Sequence, residues 1–446
     1  MNKTEPKTLS GFMELYPNEQ LMFDKMKNII IDTYKSYGFY PLDTPVIEMS
    51  EVLLAKAGGE TEKQIYRFEK GENDLSLRFD LTVPLAKYVA KRYNELVFPF
   101  KRYQIGKVFR GERPQKGRFR EFYQCDIDII GDEELSIKYD SEVINVIYDI
   151  FNKFNIGDFV VRINNRKILN GFFGRLGIKE KAADVLRIID KMEKISGEDV
   201  RKELTNIGLT EMQIFEILNL MNRRLDNPDM EESLNYLKNE YPKSIEENAI
   251  LNEGIEELES VLKDLELRGI PRKNYRVDLT IARGLDYYTG TVYETNLINY
   301  PGIGSVCSGG RYESLAEFYT DKKLPGVGIS IGLTRLFYQL VEAGIIKVDN
   351  VSSSDIIILP MCEDYNYIYN INNKLKDMGI STNICFINKG FKQKLRYADR
   401  LKNKYAIIIG EDEVKNRTIG LKNMQDFNQI EIKLDELDKI KNIIIE

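Results

Sequence analysis

The 446-residue sequence contains no histidine. That absence removes every His-dependent general base, any Ser-His-Asp triad and any His-ligated metal from consideration. Catalysis would have to run on Asp, Glu, Lys, Arg, Tyr, backbone amides or a group of the substrate. Cysteine is scarce, and Cys125, Cys307, Cys362 and Cys385 never fall in CxxC spacing. This argues for a reducing compartment and against a disulfide framework or a zinc ribbon. Long apolar runs are lacking too, and the N-terminal MNKTEPKTLSGF has no apolar core of a secretion signal. A cytoplasmic protein without membrane attachment is expected. What remains is an ordinary globular composition, 43% hydrophobic and 30% charged, long enough for two or three domains. The net charge of −6 does not decide about a nucleic-acid partner, because steering depends on local fields rather than on the sum.

The spacing of Leu21, Met22, Met26, Ile29, Ile30 and Tyr37 predicts an amphipathic helix after Pro17 that stops at Gly38. A strand at 39–42, a helix at 51–57 and β-type segments at 64–68, 75–79, 98–108 and 121–130 follow. Short strands with interposed helices and tight turns predict an α+β fold on a largely antiparallel sheet. Residues 167–267 read as helix after helix, rich in Lys, Glu and Asn, hence a helical insertion of about 167–270. Strand character returns at 275–281 and 291–296, followed by a glycine-rich turn at 302–310 and a helix after Gly332. The polar VDNVSSSD, near 346–354, reads as a linker. From 355 to 446 strands and helices alternate, as in a small α/β domain: strands at 356–359, 381–386 and 405–409, helices at 365–378 and 390–403.

Three constellations carry chemistry. The first is FRGERPQKGRFREFYQCDIDIIG, residues 109–131, with Arg110, Arg113, Lys116, Arg118 and Arg120 around a Pro-Gly turn. Arginines beside a loop can grip a polyphosphate bidentately, and Glu112 can accept from an adenine amine or a ribose hydroxyl. On pattern alone a solvated basic hairpin is the simpler reading. The return strand argues otherwise, because Gln124, Asp126 and Asp128 alternate and so share one face, with Ile127 and Ile129 on the other. The second is RGLDYYTGTVYE from Arg283, where the arginine can stabilise phosphoryl charge and Tyr287 and Tyr288 can wall a pocket. A glycine-turned hairpin with core aromatics explains it equally. The third, residues 305–337, holds Gly309, Gly310, Gly326, Gly328 and Gly332, with Arg335 one turn into a helix. Tight sheet packing is its plainer explanation.

Together these segments resemble the histidine–tRNA ligases over almost the full length. Residues 109–131 look like class II motif 2, GLTRLF like motif 3, and residues 37–54 with Pro45 like the more diffuse motif 1. RGLDYY and GGRY resemble the two sequences specific to this subfamily, although Glu313 and Ser314 replace the usual Asp-Gly after the second. The resemblance implies catalysis by Arg283 and Arg110. It implies ATP contacts at Arg110, Glu112, Arg118 or Arg120, and Arg335. It implies a histidine site of Asp80, Leu81 and Thr82 for the amino group, Arg110 and Arg283 for the carboxylate, and Gln124, Asp128, Tyr287 and Tyr288 around the imidazole. It also implies ATP with Mg²⁺ as substrate, L-histidine, a tRNA(His) partner and a homodimer built on motif 1, with no metal ligand assigned among side chains.

By the same resemblance residues 1–345 are the catalytic domain and 355–446 an anticodon-binding domain. The latter's helix carries Lys392, Lys394, Arg396, Arg400, Lys402 and Lys404 against only Asp399, a face able to neutralise phosphates. Two rivals share the likeness. One is the catalytically silent regulatory subunit of ATP phosphoribosyltransferase, which generally lacks the anticodon domain and erodes the motifs kept here. The other is a stress-sensing module that binds uncharged tRNA, which usually sits beside a kinase that this chain lacks.

Overall fold

The computed structural model describes all residues except 1–2, 56–59, 114–116, 190–191, 193–194, 223–229, 243–244, 282–287, 315, 349–351 and 446. Two compact units emerge, one of Met1–Glu14 with Lys25–Ile346, the other of Leu15–Asp24 with Lys347–Glu446.

Unit 1 is organised by an eight-stranded sheet. In chain order its strands are β1 (Tyr40–Pro41), β5 (Phe100–Phe109), β6 (Glu121–Ile130), β7 (Phe159–Asn165), β8 (Tyr275–Val277), β9 (Thr291–Leu297), β10 (Ser305–Tyr312) and β11 (Gly326–Gly332). Between β1 and β5 the chain forms a separate three-stranded sheet of β2 (Ile47–Met49), β3 (Arg67–Lys70) and β4 (Asn73–Leu77). The large sheet runs β1-β5-β6-β11-β10-β9-β7-β8, antiparallel except at its two edges, where β1 pairs with β5 and β8 with β7 in parallel. The α+β expectation therefore holds.

The central strands obey two-residue alternation. On β6, Cys125, Ile127 and Ile129 are fully buried on one side, while Gln124, Asp126 and Asp128 point to the other. The apolar side is covered by the helices Lys138–Phe154 and Leu333–Glu342, which bring Val143, Ile147, Ile150, Leu336 and Phe337 into the core. On β11 the polar side is small: Gly328 stands opposite Asp128 and Ser330 opposite Asp126. A Cβ at Gly328 would lie 2.3 Å from Asp128 Oδ1, so only glycine lets that carboxylate stand against the neighbouring strand.

The helices Arg166–Arg175, Ala182–Ile189, Gly197–Asn206, Glu211–Asn222, Met230–Glu240 and Ala249–Leu267 occupy the stretch between β7 and β8. Two expectations fail. Residues 302–310 are not a turn: from Ser305 they form β10, a central strand whose glycines admit close neighbours on both sides. Gln64 closes the short helix Glu60–Gln64, whose Glu, Lys and Gln favour helix, so the strand there starts only at Arg67.

Unit 2 carries β12 (Ile356–Pro360), β13 (Thr382–Ile384), β14 (Tyr405–Ile409), β15 (Thr418–Asn423) and β16 (Gln429–Lys433) in the order β13-β12-β14-β15-β16. The first three are parallel, as β–α alternation requires. The β15–β16 hairpin, absent from the sequence reading, adds two antiparallel strands, with Ile419, Leu421 and Ile432 turned into the core.

Candidate active site

A cleft of about 820 Å³ opens on the polar face of β6, β10 and β11. Its acidic end is built from Gln124, Asp126 and Asp128 with Ser330, Ser308, Tyr288 and Tyr312. Behind them lies Arg102 of β5, opposite Asp128 in the ladder and completely buried. Its Nη2 sits 2.6 Å from Asp128 Oδ2 and donates to the Leu81 carbonyl at 3.2 Å. Tyr312 donates its hydroxyl to Asp128 at 3.0 Å, and Gln124 donates its amide to Ser330 at 2.8 Å.

Burial dominates this end. It pushes the Asp126 carboxyl up to about 7 and that of Asp128 to about 6, against the opposing pull of Arg102 on both. Asp80, on the adjoining loop, is likewise raised by burial, while the Val83 amide, Arg110 and the Thr82 amide hold it back. Its Oδ1 accepts from the Thr82 and Val83 amides at 3.2 and 3.0 Å, capping the helix Thr82–Arg92. The carboxylate is thus fixed in direction at the cleft wall.

The opposite end is cationic. Arg110 leaves β5 with its guanidinium 4.3 Å from the Phe79 ring and 5.1 Å from that of Phe122, and its Nε donates to the Phe79 carbonyl. Two aromatic faces orient the planar charge. Arg118 faces the cleft with Glu112, 3.7 Å apart. Arg335, in the first turn of Leu333–Glu342, lines the same space and donates to the Ile303 carbonyl at 3.1 Å. Arg166 and Arg187 add further positive charge to the wall.

The structure thus brings together Asp80, Thr82, Arg110, Glu112, Arg118, Gln124, Asp128, Tyr288 and Arg335. Leu81 is fully buried and meets the site only through its carbonyl to Arg102. Arg120 turns away, its Nε donating to the Glu112 carbonyl and its side chain packed on Gly11. Arg283, Tyr287 and Lys116 lie outside the described residues. In GGRY the two polar residues part company. Arg311 points to the opposite side, where it grips Asp140 at 2.7 and 3.0 Å and the Leu135 and Ser136 carbonyls, whereas Tyr312 enters the cleft.

Arg102, Ser330 and Tyr312 were not singled out from sequence. Arg102 was detectable in principle, since a β5–β6 hairpin in this register sets it across from Asp128. Ser330 and Tyr312 come from strands whose pairing no local pattern reveals.

Unit 2 has a surface of another kind. Tyr365 stacks with Phe386 at 6.3 Å and meets Tyr369 at 5.8 Å, all three exposed. The helix Phe391–Arg400, packed on the opposite face of the sheet from the helix that carries Tyr365 and Tyr369, exposes Lys392, Arg396 and Arg400, while Lys394 is half-buried and donates to the Pro360 carbonyl. Among the described residues no helix is long and apolar enough to cross a membrane.

The family model for histidyl-tRNA synthetase matches residues 11–336, and that for an anticodon binding domain matches 355–442. The histidine–tRNA ligase of Clostridium tetani is 54% identical over 438 residues, 98% of each chain. The crystal structure of histidyl-tRNA synthetase from Nostoc sp. PCC 7120 agrees with a TM-score of 0.88 at 39% identity, covering 99% of this chain and 100% of that one. A Bacillus halodurans structure described as an ATP phosphoribosyltransferase regulatory subunit/histidyl-tRNA synthetase gives a TM-score of 0.72 at 17% identity, covering 91% and 99%; it shares the fold alone. With more than half the residues identical to a ligase through both units, the chain belongs to the histidine–tRNA ligase family of class II aminoacyl-tRNA synthetases.

Proposed function

We propose that unit 1 activates L-histidine with ATP and passes it to the 3′ end of tRNA(His), which unit 2 holds. The observation that carries this reading is one cleft with a carboxylate-rich end and an arginine-rich end, sized for an amino acid joined to a nucleotide.

In this mechanism Asp80, already aimed by its cap bonds, receives the α-ammonium, and Gln124 and Asp128 face the imidazole. A ring N–H donor meets a carboxylate there, so an isostere without it leaves a buried acceptor unpaired, a penalty of roughly 1–3 kcal/mol. Arg110 spans the histidine carboxylate and the α-phosphate, with Arg283 supplying the second positive charge. Arg335 takes the distal phosphates, and Glu112 with Arg118 the nucleoside. A carboxylate oxygen of histidine attacks the α-phosphorus in line, the bond to the β-phosphate oxygen breaks, and pyrophosphate leaves with the electron pair. Mg²⁺ enters with ATP as part of the substrate and neutralises its phosphates. The ribose hydroxyl of tRNA then attacks the acyl carbon, AMP departs, and the ribose proton passes to a phosphate oxygen of the adenylate. The absence of histidine from the chain supports that last assignment.

The domain division follows: residues 1–345 for catalysis, 346–354 as linker, 355–446 for the anticodon. The stacked Tyr365 and Phe386 suit unstacked bases, and the exposed Lys392 and Arg396 suit phosphates. A cytoplasmic homodimer completes the reading, supported by Ile47, Met49 and Phe68, exposed on the small sheet. The test is charging of total tRNA with labelled histidine. Label accumulating on tRNA(His) alone is expected; label on no tRNA would reject the reading in favour of a regulatory paralogue.

A further inference from the structure

Resting on that reading, the charges of the cleft fix the form in which histidine binds. Asp126 lines the acidic end and is 2% exposed, and among the described residues its Oδ1 has no hydrogen-bond partner. A buried acceptor without a donor in a cleft marks a place for a ligand's N–H. The groups that meet Asp126 come from every neighbouring element: Arg102 on β5, Asp128 on β6, Cys307 on β10, Ser330 on β11 and Asp80 on the loop before Thr82. Behind the strand lie Cys125 and Tyr34, both buried and un-ionised.

Among these only Arg102 is cationic. Asp80 is matched by the substrate's α-ammonium and Arg110 by its α-carboxylate. Among the described residues that leaves Asp126 and Asp128 sharing one guanidinium, a deficit of one positive charge in a buried site, with Arg283 engaged on the α-phosphate in that reading. A neutral imidazole does not fill it; an imidazolium does. We propose that the cleft binds histidine as the imidazolium, and that Asp126 is the specificity-determining residue that sets this preference. Without substrate the deficit is met by a proton on the carboxylate pair; with substrate that proton sits on the ring.

Free imidazole titrates near 6.5 and burial pushes the Asp126 carboxyl up to about 7, so once both are passed binding must take up a proton from solution. The KM for histidine in pyrophosphate exchange should therefore rise about tenfold per pH unit between roughly 7.5 and 8.5, the slope of one proton per molecule bound. Asp126→Asn should flatten that slope, and Asp126→Glu should restore it, a pattern that loss of packing alone does not produce. An analogue whose ring stays neutral at pH 7, 1,2,4-triazole-3-alanine, should be discriminated against at least about tenfold by wild type and less by Asp126→Asn. Independently of any variant, ring-¹⁵N histidine bound to wild-type protein at pH 8 should show both nitrogens protonated. A neutral tautomer in that spectrum, or a KM independent of pH in an enzyme that exchanges, overturns this inference alone. No histidine-dependent exchange at all overturns the activity itself and this inference with it.

Discussion

The large sheets of the two units bury their faces in opposite ways. In unit 2, β12 and β14 are buried along their whole length and read Ile-Ile-Ile-Leu-Pro and Tyr-Ala-Ile-Ile-Ile; among the described residues one buried side-chain polar atom of that unit, Asn403 Oδ1, lacks a partner. In unit 1 the strands around the cleft bury Arg102, Gln104, Gln124, Asp126 and Asp128, and among the described residues nothing hydrogen-bonds Arg102 Nε and Nη1, Gln124 Oε1 or Asp126 Oδ1. Burying polar groups in this state costs free energy. A protein keeps such a cost where a ligand offsets it, so the first sheet is scaffold and the second is site. Substitutions should accordingly separate: stability without chemistry in the sheet of unit 2, chemistry without stability on the cleft face of the large sheet of unit 1.

The largest effect expected is on activity. Arg110→Ala should lower kcat/KM for histidine-dependent pyrophosphate exchange by about 10³, roughly 4 kcal/mol of transition-state stabilisation, with the thermal midpoint little changed. A large stability loss with activity per folded molecule intact would reverse the role assigned to Arg110. Arg311→Met should do the opposite. It strands Asp140 in the core and should cost about 3–5 kcal/mol in urea unfolding, because a buried charge has lost its partner. If this variant keeps full stability, GGRY does not divide as described.

Ile358→Ala removes a fully buried side chain from unit 2 and should cost about 2–5 kcal/mol while leaving exchange untouched below the transition. Phe386→Ala, on the exposed face, should cost about 1–3 kcal/mol in tRNA binding, with exchange unchanged. A tRNA KM identical to wild type would move the RNA surface elsewhere.

The smallest effect is on pH. Asp126 and Asp128 titrate higher folded than unfolded, so the folded chain holds protons that the unfolded chain has released between about pH 4 and about 7. Stability contributed by these groups is therefore lost as pH rises through that window. The melting temperature of the ligand-free protein should fall from pH 5 to pH 8, less so in Asp126→Asn, and histidine should recover part of the loss. A melting temperature that rises over this range in wild type and not in Asp126→Asn would show the carboxyls to be stabilised as charges.

How much of this was legible follows the range of the forces involved. Strand β6 was read to its ends, because two-residue alternation of Ile with Asp is a local pattern. So was the shared face of Gln124, Asp126 and Asp128, whereas the partner that matters most to it, Arg102, waited on register between strands. β10 was taken for a turn because its glycines signal flexibility locally and close packing only between neighbours. The roles of Arg118 and Arg120 could not be separated from sequence, since which one meets the cleft depends on how the loop leaves the strand. In unit 2 the basic helix was legible as a local charge pattern, whereas the Tyr365–Phe386 stack comes from residues 21 positions apart.

The central claim, a cleft that joins histidine to ATP, is tested most directly by amino-acid-dependent exchange of pyrophosphate into ATP before any tRNA is added. Wild-type protein should exchange with histidine and with no other standard amino acid, and Arg283→Ala should not exchange. Pure, folded wild-type protein that fails to exchange with histidine would contradict it.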